Sequence, residues 1–242
     1  MIDFMYFSEK ILNFPDQITA DEVELSLLAS LGVTLPASRG GKVYFEENVI
    51  ISSSLILGGD SILVGANTYI NNLGYVKGKV IIGRYCSVGR RVSIAAGSHL
   101  FESVSTSPAL NGIATKAYSD YDLQKIGARR TKSGTILIGH DVWIGDGVVI
   151  VPGVKIGDGC VIGANSVVTT DCPPYCVIAG SPSRIIRKRF TGEVVNKLIS
   201  LDIYEAAHGF LSSTPMRNVL EFIEFSEKNQ FVKSKLNTFL IK

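Results

Sequence analysis

The chain has 242 residues, of which 46% are hydrophobic and 19% charged, and its formal net charge is +2. A charge this close to zero gives no electrostatic reason to expect nucleic acid as a partner. No apolar run approaches the roughly 20 residues that span a bilayer, so no transmembrane segment is expected. The first ten residues lack the basic start and apolar stretch of a signal peptide. We therefore expect a cytoplasmic protein whose four cysteines are free thiols.

Residues 1–42 precede any repeat and are interpreted as an N-terminal extension. A helix is predicted from about Asp21 to Ser30, because the apolar residues of this segment recur at helical spacing and polar residues at its start can cap it. The small, glycine-rich segment 37–42 is interpreted as a linker to strand-like sequence that begins near Val43.

Residues 43–180 are organised by a repeat of six residues. Branched aliphatic side chains recur at this period from Ile138 to Val168, and glycine follows most of them. A period of six is a multiple of two but not of 3.6, so short strands are allowed and a helix is excluded. Such a repeat is typical of a solenoid, in which each turn buries its apolar face by stacking on the next. Small or β-branched residues stand four positions after the aliphatic ones, at Val142, Val148, Val154, Cys160 and Ser166.

The repeat resembles that of the hexapeptide-repeat acyltransferases, in which three hexads form one triangular coil of about eighteen residues. The resemblance implies an all-β solenoid, a left-handed parallel β-helix, over residues 43–180. Grouping the sequence by coils places the aliphatic residues in three ladders whose rungs are all Ile or Val. The ladders are Val64, Ile82, Ile138 and Ile156; Ile70, Val88, Ile144 and Ile162; and Val76, Ile94, Ile150 and Val168. An irregular first coil is expected upstream, with a bulge in the seven-residue step from Leu57 to Val64.

The register of the repeat breaks once, between Ile94 and Ile138. Residues 100–135 show no period and are interpreted as a loop ejected from one corner of the solenoid, because the ladders resume after it. His99, one of three histidines in the chain, lies where this loop departs. A histidine is a common general base for a hydroxyl or amine, so His99 is the candidate catalytic residue. His140, by contrast, is expected at a corner in a structural role.

Two segments carry a more specific resemblance: IGRYCSVGRRVSIAAGSHLFESVSTSP and the stretch from IGHDVWIG to SPSRIIRKRF. They resemble the branch that holds the xenobiotic acetyltransferases and many polysaccharide O-acetyltransferases. In that branch the histidine that opens the loop is the base, and His99 matches it. Relatives often carry Asn-His-Pro there, whereas this chain has Ser98-His99-Leu100. The resemblance assigns Ser105 and Thr106 to the acceptor pocket, and we add Tyr118 from the same loop.

The same resemblance implies acetyl-CoA as cosubstrate and a homotrimer whose subunits share the coenzyme groove. Trp143, the only tryptophan, would lie near the acetyl end of the coenzyme, with packing on the loop as its structural alternative. Small residues would line the groove for the pantetheine arm, and cations beyond it would neutralise phosphates. The small residues are Gly145, Gly163, Ala164 and Ser166, and the cations are Arg184, Arg187 and Lys188, followed by Arg189. The alternative for these cations is a solvated basic face.

Residues 181–242 are interpreted as a C-terminal loop and helical region. Helices are predicted over Thr191 to Leu201, with Thr191 as the cap, and over Met216 to Phe225. Cys172 and Cys176 lack the spacing and further ligands of a zinc site, and no metal is expected.

These patterns favour an acetyltransferase that moves an acetyl group from acetyl-CoA to a hydroxyl of a sugar or of a surface polysaccharide precursor. The alternatives are an N-acetyltransferase of a nucleotide-linked amino sugar, or an O-acetyltransferase of a streptogramin- or chloramphenicol-type antibiotic. Two further classes are a zinc hydrolyase on the same solenoid, against which the spacing of the three histidines argues, and a scaffold without catalytic activity.

Overall fold

The computed structural model describes residues 21–23, 33–34, 42–52, 54–97, 99, 104–107, 110, 134–229, 231 and 239–241. Their strands form two sheets, as short segments that alternate with tight corners, which is the expectation for a six-residue period. The smaller sheet consists of β4 (Ile50–Ile51), β6 (Tyr69–Ile70), β8 (Ser87–Val88), β11 (Trp143–Ile144), β14 (Val161–Ile162), β16 (Cys176–Gly180) and β17 (Ser183–Lys188).

The larger sheet holds the other two sides of the coils and both ends of the described chain. It consists of β1 (Asp21–Val23), β2 (Val33–Thr34), β3 (Lys42–Phe45), β5 (Leu55–Val64), β7 (Tyr75–Ile82), β9 (Ser93–Ile94), β10 (Ile136–Ile138), β12 (Val149–Ile150), β13 (Lys155–Ile156), β15 (Val167–Val168) and β18 (Phe239–Ile241).

All three predicted ladders are confirmed by the parallel register of the strands. Ile138 pairs with Ile82 on one side and with Ile156 on the other, and the other two ladders continue in the same way. The twelve rungs are almost completely buried. The irregular first coil is confirmed too, since Phe45, Ile51 and Leu57 extend the three ladders by one rung each. The expected bulge lies between Gly58 and Ser61.

The residues four positions after each rung fill the remaining core, as predicted. Val142, Val148, Val154, Cys160 and Ser166 are all buried, and Cys86 occupies the equivalent place in an earlier coil. All four cysteines are free. Glycine follows the rungs because neighbouring coils touch there: a Cβ on Gly83 would lie 2.5 Å from the carbonyl oxygen of Gly139. No side chain fits between backbones at that distance.

The excursion leaves the solenoid without disturbing it. The chain departs after β9, and β10 then pairs with β7 as the next coil of the stack. The ladders therefore continue across the predicted register break, and most of the predicted loop, including residues 111–133, lies outside the described residues.

The C-terminal region packs as a second small core. It consists of α1 (Gly192–Leu201), a 3-10 turn (Ile203–Glu205), α2 (His208–Ser212) and α3 (Val219–Lys228). The first predicted helix and its cap are confirmed, since the Thr191 hydroxyl accepts the N–H of Val194. The second is present but begins three residues later than predicted, because Asn218 caps it and accepts the N–H groups of Leu220 and Glu221. None of the helices in this described part is long and apolar enough to cross a membrane.

The predicted helix from Asp21 to Ser30 is wrong at its start. Residues Asp21–Val23 form β1, which pairs in parallel with β18, and β18 pairs antiparallel with β3. The paired segments are more than 200 residues apart in the sequence. Their pairing overrides the helical spacing of residues 21–30, and the local sequence does not reveal it. Residues 24–30 of that prediction lie outside the described residues.

One corner of the solenoid holds the C-terminal region through an ion-pair network. The guanidinium of Arg84 lies 2.7 Å from a carboxylate oxygen of Glu46 and 3.3 Å from one of Glu205. It also donates to the carbonyl oxygen of Tyr204, at 3.1 Å. Burial alone would raise the pKa of Glu46, but the hydrogen bond and charge of Arg84 hold it below its usual value. Both residues are mostly enclosed, so solvent screens this pair weakly.

His140 lies in the same corner and is held as a neutral imidazole. Its Nδ1 accepts the backbone N–H of Arg84 at 2.9 Å, and its ring stacks on that of Tyr204 with centroids 5.3 Å apart. Its own backbone N–H donates to Asp158 at 2.8 Å. Burial lowers the pKa of His140, and the charge of Asp158 opposes this shift only in part. The structural role of His140 is therefore specific: its Nδ1 must stay unprotonated to accept the hydrogen bond from the backbone N–H of Arg84.

We expect this corner to make stability depend on pH. Unfolding returns the pKa of His140 to about 6.5, so below that pH the unfolded state binds a proton that the folded state lacks. The free energy of unfolding should therefore fall as pH falls below about 6.5, by at most about 1.4 kcal/mol per pH unit. Urea unfolding at several pH values between 5.5 and 7.5 measures this slope. His140→Asn should flatten the profile, and an unchanged slope would assign it to other groups.

Candidate active site

His99 is exposed at the root of the excursion, and the structure supplies the group that orients it. Its Nδ1 lies 2.8 Å from the backbone carbonyl oxygen of Thr106. A carbonyl oxygen only accepts hydrogen bonds, so Nδ1 must carry the proton in this contact. The neutral ring then has an unprotonated Nε2, and that atom is the one that can accept a proton from a hydroxyl or amine.

A short turn presents this carbonyl to the imidazole. The hydroxyl of Ser105 accepts a hydrogen bond from the backbone N–H of Ser107 at 3.1 Å. This bond closes a turn with Thr106 at its centre. Ser105 and Thr106 thus lie beside His99, and their place in an acceptor pocket stays a prediction. Tyr118, the third residue predicted there, lies outside the described residues. Because the contact to His99 comes from the backbone, no side-chain pattern could have revealed it.

Trp143 lies on the outer surface of the smaller sheet, because its neighbour Ile144 points into the core. Its side chain is 58% exposed, and in register it stands between Ser87 and Val161. His99 instead follows a strand of the larger sheet. The candidate base and the candidate coenzyme residues therefore belong to different sides of the triangular coil.

The predicted groove residues lie on successive coils at the edge of the smaller sheet. A Cβ on Gly145 would lie 2.7 Å from the backbone nitrogen of Ala164, so these coils meet through backbone alone. Gly163 and Gly145 are half-buried and Ala164 is exposed, which leaves a surface of backbone groups and small side chains. Such a surface suits an extended, amide-rich ligand.

Ser166 differs from the other predicted groove residues because its side chain is fully buried. The hydroxyl donates to the carbonyl oxygen of Gly163 at 2.6 Å and accepts the N–H of Gly180 at 3.1 Å. It therefore supports the wall from inside the coil and does not reach its surface.

The basic residues divide into two groups. Arg184, Arg187 and Lys188 are exposed on β17, the last strand of the smaller sheet. Arg189 is instead bound within the chain, where its guanidinium donates to the carbonyl oxygen of Gly159 at 2.6 Å and lies 3.3 Å from Asp141. The first three are accessible to a phosphate, whereas Arg189 stabilises the end of the solenoid through its contacts with Gly159 and Asp141.

An open cavity of about 800 Å³ lies elsewhere, between α1 and α3. Its lining includes Phe190, Val194, Leu220, Lys197 and Glu227, and of the basic residues predicted for the phosphates it includes Arg189 but not Arg184, Arg187 or Lys188. In the described residues, no three His, Cys, Asp or Glu side chains are grouped so that they could hold a metal ion.

Comparison with known proteins identifies the repeat. Residues 135–170 match the family model described as bacterial transferase hexapeptide (six repeats). The chain is also 33% identical over 131 residues to a probable macrolide acetyltransferase from Lysinibacillus sphaericus, a match that covers 53% of this chain and 70% of that protein. The chain belongs to the hexapeptide-repeat acyltransferase family. The fold is accordingly the left-handed parallel β-helix of that family, as the sequence resemblance implies.

Two further proteins are similar to this chain over smaller shares of their own length. A chloramphenicol acetyltransferase from Klebsiella aerogenes is 39% identical over 127 residues, which cover 51% of this chain and 58% of that protein. The galactoside O-acetyltransferase of Escherichia coli K12 is 41% identical over 153 residues, which cover 63% of this chain and 64% of that protein. The chain thus spans little more than half the length of the first of these relatives.

Proposed function

We propose that this chain transfers an acetyl group from acetyl-CoA to a hydroxyl of a sugar or of a surface polysaccharide precursor. The observation that carries the proposal is the contact between His99 Nδ1 and the carbonyl oxygen of Thr106, because it leaves Nε2 as the proton acceptor. The family membership and the O-acetyltransferase relative that acts on galactosides support the hydroxyl as acceptor. A chloramphenicol-type hydroxyl is the second candidate, which the relative from Klebsiella aerogenes favours.

In this proposal His99 removes the proton from the acceptor hydroxyl through Nε2. The oxygen then attacks the thioester carbonyl, and a backbone N–H near the groove stabilises the charge that develops on the carbonyl oxygen. The carbon–sulfur bond breaks, and the leaving thiolate takes the proton that His99 holds. The thioester is already activated, so no covalent intermediate on the protein is required.

The groove residues bind the coenzyme in this proposal. Backbone groups at Gly145, Gly163 and Ala164 face the pantetheine arm, Trp143 lies near its acetyl end, and Arg184, Arg187 and Lys188 neutralise its phosphates. These residues lie on a different side of the coil from His99. A homotrimer, in which a neighbouring subunit brings its base to the groove, therefore completes the site.

The proposal is tested by release of free thiol from acetyl-CoA in the presence of candidate acceptors. The set includes a galactoside, chloramphenicol, a macrolide and a nucleotide-linked amino sugar, each at several concentrations. We expect thiol release above the rate of hydrolysis with at least one hydroxyl acceptor. Release with the amino sugar alone would favour N-acetylation, and no release with any acceptor would contradict the proposal.

A further inference from the structure

Two backbone segments from successive turns connect the pantetheine end of the proposed coenzyme groove with the strand that carries its cations. One is the corner at Gly163, and the other is the turn at Gly180 between β16 and β17. Next to the paired strands β14 and β16, a main-chain hydrogen bond of 2.9 Å from the N–H of Gly163 to the carbonyl oxygen of Ile178 joins the coils just before this turn. Beyond it, the chain must leave the coil and turn back as an antiparallel strand.

Ser166 joins these two segments where the coil ladder ends. Its hydroxyl donates to the carbonyl oxygen of Gly163, at 2.6 Å, and accepts the N–H of Gly180, at 3.1 Å. The side chain is fully buried, so water cannot replace either partner without opening the coil. Gly180 has φ +104, a backbone conformation that L side chains rarely adopt, so the turn depends on this residue and on what holds it.

We propose that Ser166 is a positioning residue for coenzyme binding, which acts through Gly163 and Gly180 and not by contact. This rests on the proposed function, since the groove is the one assigned there to acetyl-CoA. The hydroxyl fixes the turn at Gly180, and β17 then starts from that turn and carries Arg184 close behind it. Without the hydroxyl, the phosphate-binding end of the groove is no longer held at a fixed position relative to its pantetheine end.

Thr68 provides a matched control in the same chain. It is equally buried, and its hydroxyl also donates to a glycine carbonyl oxygen, that of Gly83 at 2.8 Å, and accepts a backbone N–H, that of Cys86 at 3.0 Å. It stands at a different corner, away from Gly163 and Gly180. Thr68→Val and Ser166→Ala therefore remove the same kind of internal bond with little change of volume.

The test is calorimetric titration of the full chain with CoA, together with the KM values for acetyl-CoA and for the acceptor. We expect Ser166→Ala to weaken CoA binding about tenfold, because both hydrogen bonds of the buried hydroxyl are lost and its partners at Gly163 and Gly180 are left unpaired. The KM for acetyl-CoA should rise, while kcat and the KM for the acceptor change little. The Thr68→Val variant should be destabilised about as much as Ser166→Ala, but its affinity for CoA should equal that of the wild type.

Two results would overturn this role, and they are distinguishable. If the wild-type chain binds CoA and Ser166→Ala binds it equally well, the proposed function stands and the positioning role is wrong. If the wild-type chain does not bind CoA, the proposed function fails and this role fails with it. Ser166→Cys serves if the alanine variant does not fold, because Cys86 and Cys160 fill the equivalent buried position in other hexads of the repeat. A thiol is a weaker hydrogen-bonding group, so CoA binding should weaken there as well.

Discussion

Replacement of His99 by alanine is expected to lower turnover about 10²- to 10⁴-fold, the usual contribution of a positioned general base. The proposal assigns His99 the removal of the acceptor proton, and the contact of Nδ1 with the carbonyl oxygen of Thr106 sets the tautomer that can do so. His99 is exposed and lies outside the buried ladders, so the variant should fold normally. Steady-state thiol release with a productive acceptor measures the loss.

The matched control for this variant is His208→Ala. His208 is also exposed, and its ring stacks on that of Tyr85 outside the candidate site. Its replacement should leave turnover within about twofold of wild type, since a surface substitution away from the site usually has a small effect. CoA binding should be nearly unchanged in both variants, because the proposal assigns the binding of the coenzyme to the groove residues and to the cations of β17, and not to the base. Full activity in His99→Ala would remove this residue from the mechanism.

Replacement of Ile138 by alanine is expected to destabilise the fold by about 2–5 kcal/mol. The side chain is fully buried, and it stands in register between Ile82 and Ile156 in the middle of its ladder. In a solenoid each turn is stabilised by its neighbours, so a cavity in a central rung weakens two interfaces at once. Urea unfolding at a fixed protein concentration gives the change in the free energy of unfolding.

Leu220→Ala is the control for the Ile138 substitution. It removes a similar aliphatic side chain that is 65% exposed on α3, so its effect should stay within about 0.5 kcal/mol. A change below about 1 kcal/mol in Ile138→Ala would mean that the ladder is not the tightly packed core that the burial of its rungs indicates.

The solenoid could be predicted because its information is local and repeated. Ile82, Ile138 and Ile156 carry the same side-chain type at the same phase of the repeat, and parallel stacking of equal coils then leaves one register that buries all three. The site of the excursion followed from the same pattern, since the ladders resume after it. His99 became the candidate base because it stands where the strict repeat that begins at Val64 breaks off, and its role stays a prediction.

Features built from distant or backbone groups could not be predicted in this way. The strand at Asp21–Val23 depends on a partner at the other end of the chain, so its local helical spacing was misleading. The oxygen that orients His99 belongs to the backbone of Thr106 and has no side-chain signature. The corner of Arg84 and His140 joins residues that are 56 positions apart, and Glu205 comes from beyond the repeat.

The most direct test is calorimetric titration of this chain with CoA, because the groove, the cations of β17 and His99 act in one reaction only if this coenzyme supplies the acetyl group. We predict saturable binding of one CoA per chain and a melting temperature that rises with its concentration. Absence of heat, and of any thermal shift, at millimolar CoA with a folded protein would contradict the assignment of this chain as an acetyl-CoA-dependent acetyltransferase.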